Sequence, residues 1–451
     1  MKPNVLILTI DSLRADKIYG CHKSAITPNI DKLINDGTYF TQAISTSDTT
    51  GLSLGSLFTA KYPFRTGITH FSYNSNILTY PQILKDNGYY TFATVPDISI
   101  ILKLTSNFTD RDAYVYDKRE SWLQLVGGIG QSIIDRLEKL QTPWLYYIHL
   151  MDLHAPFYLP KEFDSDKYGK TRYDRMISAI DSWIGKFLEK IDLSKTLVII
   201  SADHGDHIPV VDNWNDPPKT STLLKKGKEK LPALEPLGLK LFVAFHAIKR
   251  KYKIQKLKQG LTERQTLALL GRGQSHLFDE LIRIPLILTG YGVPSSTIIS
   301  TQVKQVDIFP TILDISEIST KDIVSDGKSL VQFFTNKSST ETPTYIESGA
   351  RNIKNSKTIN PTIYGKIIGI RTSRYKYWRS RNDPTKDVFL FDLQNDPNEE
   401  KNIASEYPDV VNMMEQILED IKKGSVEIKQ NQFSEEEIKS IEEELKKLGY
   451  M

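Results

Sequence analysis

The chain has 451 residues, a formal net charge of +3 and 39% hydrophobic residues. It is too long for one small core, its composition is that of an ordinary globular protein, and so slight a charge gives no ground for a general nucleic-acid or membrane role. A single cysteine, Cys21, excludes an internal disulfide and any paired-cysteine metal site.

In chain order, VLILTI (Val5 to Ile10) reads as a buried strand of a largely parallel sheet, and it ends on an acid, Asp11. Ligand groups collect where such strands end, so Asp11 is either a metal ligand or the N-cap of the next helix. PNIDKLINDG, residues 28 to 37, predicts a helix stopped by Gly37. A polar segment, TQAISTSDTTG, follows, then SLGSLFTA as a short apolar helix and KYPFRTGI as a loop. PQILKDNG predicts a helix over 81–88 and YYTFATV the strand after it, the alternation that builds layered α/β folds. WLYYIHLMDLHAPF, from Trp144, is a strand that runs into Asp152 and His154. An amphipathic helix is expected over 174–190, then the strand TLVIISADHG ending at Asp203, His204 and Gly205, then the strand RIPLILTG from Arg283. Recurrent acids and histidines at separate strand ends argue for one site in a common crevice.

Between His207 and Gly271 the chain turns lysine-rich, with KKGKEK and IKRKYKIQKLK. This reads as a basic helical insert at about 208–270 in an α/β domain spanning 1–340, either a solvated face or a lid or docking surface for an anionic substrate, a partner subunit or a lipid headgroup. From Glu341 the pattern becomes α+β, a smaller domain over 341–451. IIGIRTSRYKYWRS and DVFLFDLQNDP alternate as antiparallel strands, and a charged helix with a stripe at Ile438, Ile441 and Leu445 closes the chain. No span is apolar enough to cross a membrane and the first residues enter a strand directly, so the expected location is the cytoplasm.

The candidate chemistry is concentrated at four places. Asp203 and His204 put a carboxylate and an imidazole on adjacent positions, and oxygen-plus-imidazole ligation suits Mn²⁺, Zn²⁺ or Fe. Thr50, in TSDTTGLSLGSLFTA, is either a helix N-cap or a nucleophile beside a metal and a helix N-terminus that would hold a tetrahedral anion. His154 and His276 are either structural residues or acids and anion binders. Asp206 and His207 stand close enough to Asp203 to support it.

The order of these motifs resembles the sulfatase branch of the alkaline phosphatase superfamily, which includes phosphonate and phosphodiester hydrolases. IDSLRAD resembles the first metal-binding strand end, SLFTAKYPFRTGI the segment after the nucleophile, DLHAPF the H-x-P-F motif, SADHG the second metal motif and GQSHLFDELIRIPLILTG the late active-site segment. IRTSRYKYW and LFDLQNDPNEEKNI resemble the family's ending. The resemblance implies an alkaline-phosphatase-like sandwich: a large, mostly parallel central sheet with helices on both faces and a smaller C-terminal antiparallel sheet. It implies Asp11, Asp203 and His204 as metal ligands, Thr50 as a nucleophile that also touches the metal, and His154 as a contact to the substrate anion or the leaving group. The cofactor implied is a divalent ion, Mn²⁺ or Zn²⁺ ahead of Ca²⁺. A second site completed by Asp206 and His207 is left open, the alternative being that both face water.

The chain departs from the pattern. Ser12 stands where many sulfatases have a second aspartate, and TGLSL puts Thr50 in place of the cysteine or serine that becomes formylglycine, with Leu52 for the proline and Leu54 for the arginine. Gln274 stands where the family has a lysine or histidine, and His276 lies two positions later. Threonine cannot expel sulfate from a hemiacetal, and an anion site short of two positive charges asks less of a monoanionic diester. The expectation is therefore a metal-dependent hydrolase of phosphodiesters or phosphonate monoesters, acting on a small anionic ester, with a homo-oligomer possible. A sulfatase and a non-catalytic binding or scaffold protein are the alternatives.

Overall fold

The apolar run at the start of the chain forms β1 (Asn4–Ile10), and every one of its residues is buried. In the computed structural model the residues described are 2–69, 72–115, 124–155, 158–207, 261–262, 264–265, 276–321, 323–334, 341–349 and 367–423. The other strands of the larger sheet are β2 (Gly37–Ile44), β3 (Tyr90–Pro96), β4 (Asp110–Tyr114), β5 (Trp144–Leu150), β6 (Thr196–Ser201), β7 (Arg283–Gly290), β8 (Thr297–Ile299) and β9 (Val303–Lys304). Their order is β4-β3-β5-β1-β6-β7-β2-β8, with β9 beside β2. The continuous apolar runs of β1, β5 and β6 are wholly buried, which requires cover on both faces of the sheet.

One strand runs backwards. β7 is antiparallel to both β6 and β2, whereas the remaining pairings in this sheet are parallel. The carboxyl ends of β1, β2, β5 and β6 therefore open on one edge, and the start of β7 meets them there. The chain leaves β1 for β2 on one side and β3 on the other, so β1 lies at the point where the strand order reverses, where such sheets form their crevices.

The smaller sheet contains β10 (Thr344–Glu347), β11 (Ile367–Arg371), β12 (Tyr375–Ser380) and β13 (Phe389–Asp392), all antiparallel neighbours. Ile44 from β2 and Leu277, Phe278, Leu281 and Ile282 before β7 pack with Ile346, Ile367, Trp378 and Phe391 into a shared apolar cluster between the sheets. The helix Pro408–Lys422 covers the small sheet with Met414 and Leu418.

Several local expectations change. The first helix spans Pro28–Asn35, and Gly37 opens β2 instead of ending the helix. A Cβ on Gly37 would lie 2.2 Å from the Leu288 carbonyl oxygen, so the glycine serves the close approach of β2 to β7. The polar start TQAI is the end of β2, where a bulge between Phe40 and Ala43 leaves Thr41 and Gln42 half-exposed and breaks the alternation that marks a strand. The apolar helix begins at Thr50, and the KYPFRTGI loop contains a helical turn, Pro63–Thr66. The helix expected over 174–190 spans Arg172–Leu188 and starts in a capping box between Thr171 and Asp174. Nearly all of the basic insert, Gln274 and the terminal charged helix lie outside the described residues.

Candidate active site and metal centre

Strand register decides which side chains meet. In β1 and its neighbours Thr9 pairs with His149 of β5 and Ser201 of β6. Side chains alternate along a strand, so Thr9 and Asp11, His149, and Ser201 and Asp203 all project from the same face at the carboxyl edge. Asp11, His149 and Asp203 are fully buried, and one ligating atom from each lies within 4.8 Å of the others.

Asp11 does not cap a helix, since the short turn that follows, Ala15–Lys17, is preceded by Arg14. Ser12 takes a positive φ of 65°, a rare conformation for a residue with a side chain, which turns the chain sharply at the strand end. Its hydroxyl donates to Asp11 Oδ1 at 2.5 Å and its backbone N–H reaches Asp203 Oδ1 at 3.4 Å.

Thr50 is the first residue of the helix Thr50–Thr59, and Thr49 occupies the capping position. The Thr50 hydroxyl leaves the helix end alone. Its Oγ1 donates to Asp11 Oδ2 at 3.2 Å and lies 3.2 Å from His204 Nε2. His204 Nε2 is in turn 3.3 Å from Asp203 Oδ2, and its Nδ1 is held by the Gly205 carbonyl at 2.8 Å. The Asp203 backbone carbonyl accepts from Ser45 (2.6 Å), Ser53 (2.5 Å) and Gln305 (3.1 Å). The residue after β2, the Thr50 helix and the turn before the helix Ile308–Ile315 thus converge to fix the Asp203 backbone. Gly205 is needed because a Cβ there would stand 2.1 Å from the Glu280 carbonyl oxygen.

His149 is the residue that sequence reasoning passed over. It lies inside the apolar run WLYYIHL and looks like core, and its burial is complete. Its Nδ1 is 3.0 Å from the Tyr147 hydroxyl, whereas Nε2 has no hydrogen-bond partner and lies 3.8 Å from Asp11 Oδ2. A polar residue within an otherwise apolar strand, two positions from a tyrosine on the same face, was the available signal.

The remaining candidates are distributed around this cluster. His154 is buried in the turn after β5, its backbone N–H bonded to the Met151 carbonyl at 2.9 Å. His276 is buried with its Nε2 at 2.8 Å from His207 Nε2. His207 Nδ1 bonds Glu280, whose other carboxylate oxygen meets Arg14 at 3.2 Å and Arg264 at 3.3 Å. Burial pushes the Glu280 carboxyl up, but His207, Arg14 and Arg264 together hold it well below the usual carboxylate range. The Asp206 carboxylate accepts from the His207 backbone N–H at 2.8 Å. His207 and His276 therefore form a separate pair anchored on Glu280.

The donor set fits a divalent ion. Two buried carboxylates converge with imidazole nitrogens, and the orphaned His149 Nε2 faces them. Separations of 3.2–3.8 Å among Thr50, Asp11, His204 and His149 match ligand-to-ligand distances around an ion bound at about 2.0–2.2 Å. Among the described residues no helix is long and apolar enough to cross a membrane.

The profile of the sulfatase family matches residues 3–318, and that of the N-sulphoglucosamine sulphohydrolase C-terminal region matches residues 273–424. The chain belongs to the sulfatase family. Arylsulfatase K of Mus musculus is 30% identical over 151 residues, 32% of this chain and 26% of that protein. The chain thus aligns with only about a quarter of the length of that relative, whose 26% coverage is typical of the arylsulfatases K matched. The ulvan-active sulfatase of Formosa agariphila is 24% identical over 476 residues, covering 93% of this chain and 79% of that protein. Among solved structures, the phosphonate monoester hydrolase of Agrobacterium radiobacter superposes with a TM-score of 0.68 at 15% identity, over 94% of this chain and 96% of that one, a likeness of fold.

Proposed function

We propose that this chain is a metal-dependent hydrolase of small anionic esters, with sulfate esters as the leading substrate class and Thr50 as the nucleophile. The observation that carries the reading is the position of Thr50 Oγ1, 3.2 Å from both Asp11 Oδ2 and His204 Nε2. Membership of the sulfatase family and the names of the curated relatives support sulfate over the phosphorus esters that the Thr50 substitution alone suggests.

Asp11, Asp203, His204 and Thr50 are the residues assigned to hold the ion, with Mn²⁺ or Zn²⁺ favoured by the mixed oxygen and nitrogen donors. When bound, such an ion supplies a positive charge that lowers the hydroxyl pKa and offsets charge developing on the ester oxygens. Asp11 Oδ2 accepts a hydrogen bond from the Thr50 hydroxyl, which orients the oxygen for attack. Thr50 begins a helix of ten residues, and the positive end of that helix dipole favours an anion bound beside it. His154 is assigned the proton of the departing alcohol, since the His276 Nε2 is engaged with His207. Water then cleaves the threonine ester. The second reading is a phosphodiester or phosphonate monoester hydrolase. Thr50 itself favours it, because its methyl-bearing hydroxyl carbon cannot become an aldehyde hydrate.

The test is a parallel rate comparison of metal-reconstituted protein on p-nitrophenyl sulfate, bis-p-nitrophenyl phosphate and p-nitrophenyl phenylphosphonate, with Mn²⁺, Zn²⁺ and Ca²⁺. Turnover of the sulfate ester that falls at least about 1,000-fold in Thr50→Ala is expected. Turnover confined to the phosphorus esters would establish the second reading, and Thr50→Ala retaining full activity would remove the nucleophile assignment.

A further inference from the structure

The geometry points to His149 as a ligand of the divalent ion, filling from β5 the place that Ser12 leaves on β1. The inference rests on the metal-centre reading above and adds to it a residue from a strand outside the motifs that suggested it. Four observations carry it. The register of β1 with β5 places His149 on the face that carries Asp11, and one potential ligand atom from each of Asp11, His149 and Asp203 lies within 4.8 Å of the others. The His149 ring is fully buried and its Nε2 has no hydrogen-bond partner, a costly state for an imidazole nitrogen unless a ligand completes it. The other nitrogen, Nδ1, is 3.0 Å from the Tyr147 hydroxyl, which holds the ring with Nε2 toward the carboxylates, the arrangement in which metal-bound histidines are oriented by an outer partner. Finally, the Ser12 hydroxyl is spent on Asp11 Oδ1 at 2.5 Å, so the position after Asp11 supplies a hydrogen-bond donor to the carboxylate.

Exchanging a carboxylate for an imidazole changes what the site selects. With His204 and His149 both contributing nitrogen and only Asp11 and Asp203 contributing full negative charges, the donor set moves away from the oxygen-rich, flexible shell that Ca²⁺ takes and toward Zn²⁺ or Mn²⁺. The chain therefore discriminates against Ca²⁺ through His149.

The experiment measures metal affinity of the stripped full chain by competition with a chromogenic chelator, using Zn²⁺ and Ca²⁺, for the unaltered protein and for His149→Gln, Tyr147→Phe and Asp203→Asn. His149→Gln is expected to weaken Zn²⁺ binding more than the roughly 10–100-fold cost of an outer partner, Tyr147→Phe to fall within that range, and the Zn²⁺-to-Ca²⁺ preference to narrow in His149→Gln. X-ray absorption at the zinc edge of the unaltered protein gives a readout that needs no variant: two imidazole ligands are expected. One imidazole, together with Zn²⁺ affinity in a folded His149→Gln within about threefold of the unaltered protein while Asp203→Asn loses it, would overturn the role of His149 and leave the metal centre standing. Absence of stoichiometric Zn²⁺ or Mn²⁺ uptake by the unaltered protein would overturn the metal-centre reading and this inference with it.

Discussion

At the scale of single residues, Asp152 at the carboxyl edge of the sheet is, like His149, paired by hydrogen bonding on only one side. Asp152 is buried, its Oδ1 accepts from the Leu125 N–H at 3.2 Å, and its Oδ2 has no partner. Burial pushes its carboxyl up to about 7, against an opposing effect from the Leu125 hydrogen bond. The folded pKa is raised above the unfolded value of 3.8, so the folded chain keeps a proton that the unfolded chain loses. Stability is full below about pH 4 and declines as pH rises from there toward 7, at up to about 1.4 kcal/mol per pH unit. Asp152→Asn keeps the acceptor for Leu125 and removes the ionisation. Denaturant unfolding is expected to show the variant equal to or below the parent at pH 4 and more stable by a few kcal/mol at pH 8. A gap that does not change with pH would mean that Asp152 ionises freely in the folded chain.

At the scale of elements, the site depends on two segments from distant parts of the chain touching through backbone. The Gly205 N–H donates to the Leu281 carbonyl at 2.8 Å, and a side chain at 205 would collide with the Glu280 carbonyl. Gly205→Ala must move one of the two segments, at a cost of about 1–3 kcal/mol by analogy with overpacked cores. Because Asp203 and His204 sit on the moved turn, Zn²⁺ affinity is expected to fall with stability. A variant that loses stability at unchanged affinity would separate the turn from the centre. Much of this arrangement was legible in the sequence, for a definite reason. Apolar strands ending on Asp11 and on Asp203–His204 carry both the strand signal and the chemical signal in adjacent residues. β2 was hidden because its bulge puts Thr41 and Gln42 together and breaks the period of two. His149 was hidden for the opposite reason, since an unbroken apolar strand absorbs one histidine without disturbing its pattern. The reversed direction of β7 was not legible, because RIPLILTG reads the same whichever way the strand runs. Which of Thr49 and Thr50 holds the position before the helix could not be told from the sequence, since the same residue type fills both; Thr49 holds it, without a side-chain hydrogen bond to the helix end.

At the scale of the whole molecule, the two sheets are joined by buried charge as well as by the apolar cluster between them. Arg371 of β11 donates to both oxygens of Asp279, at 3.0 and 2.7 Å, and to Gln42 of β2 at 2.7 Å. Lys376 of β12 reaches Asp279 at 2.5 Å and Glu399 at 2.6 Å. Burial pushes the Asp279 carboxyl up, but Arg371 and Lys376 outweigh it and hold the group well below its ordinary range. Such a network contributes little relative to an apolar replacement, yet removing one member strands the others without compensation. Arg371→Ala is expected to cost about 3–5 kcal/mol in equilibrium unfolding and to lower the melting temperature of the whole chain in a single step. Since Asp279 lies just before β7 and just after His276, the same variant tests how firmly the small sheet holds that segment. A loss below about 1 kcal/mol would place the connection in the apolar cluster alone.

The central place of β1 also sets a timetable. Val5 pairs with Leu145 on one side and Leu197 on the other, so β1 is synthesised well before both of its neighbours. At about 5–20 residues per second, a ribosome takes on the order of ten seconds or more to deliver them. Throughout that interval a largely apolar strand with two open edges must be kept from pairing with other chains. Asp11 and Thr50 emerge early, but Asp203 and His204 arrive only with β6, so the proposed metal centre cannot assemble until that strand has been made and has joined β1.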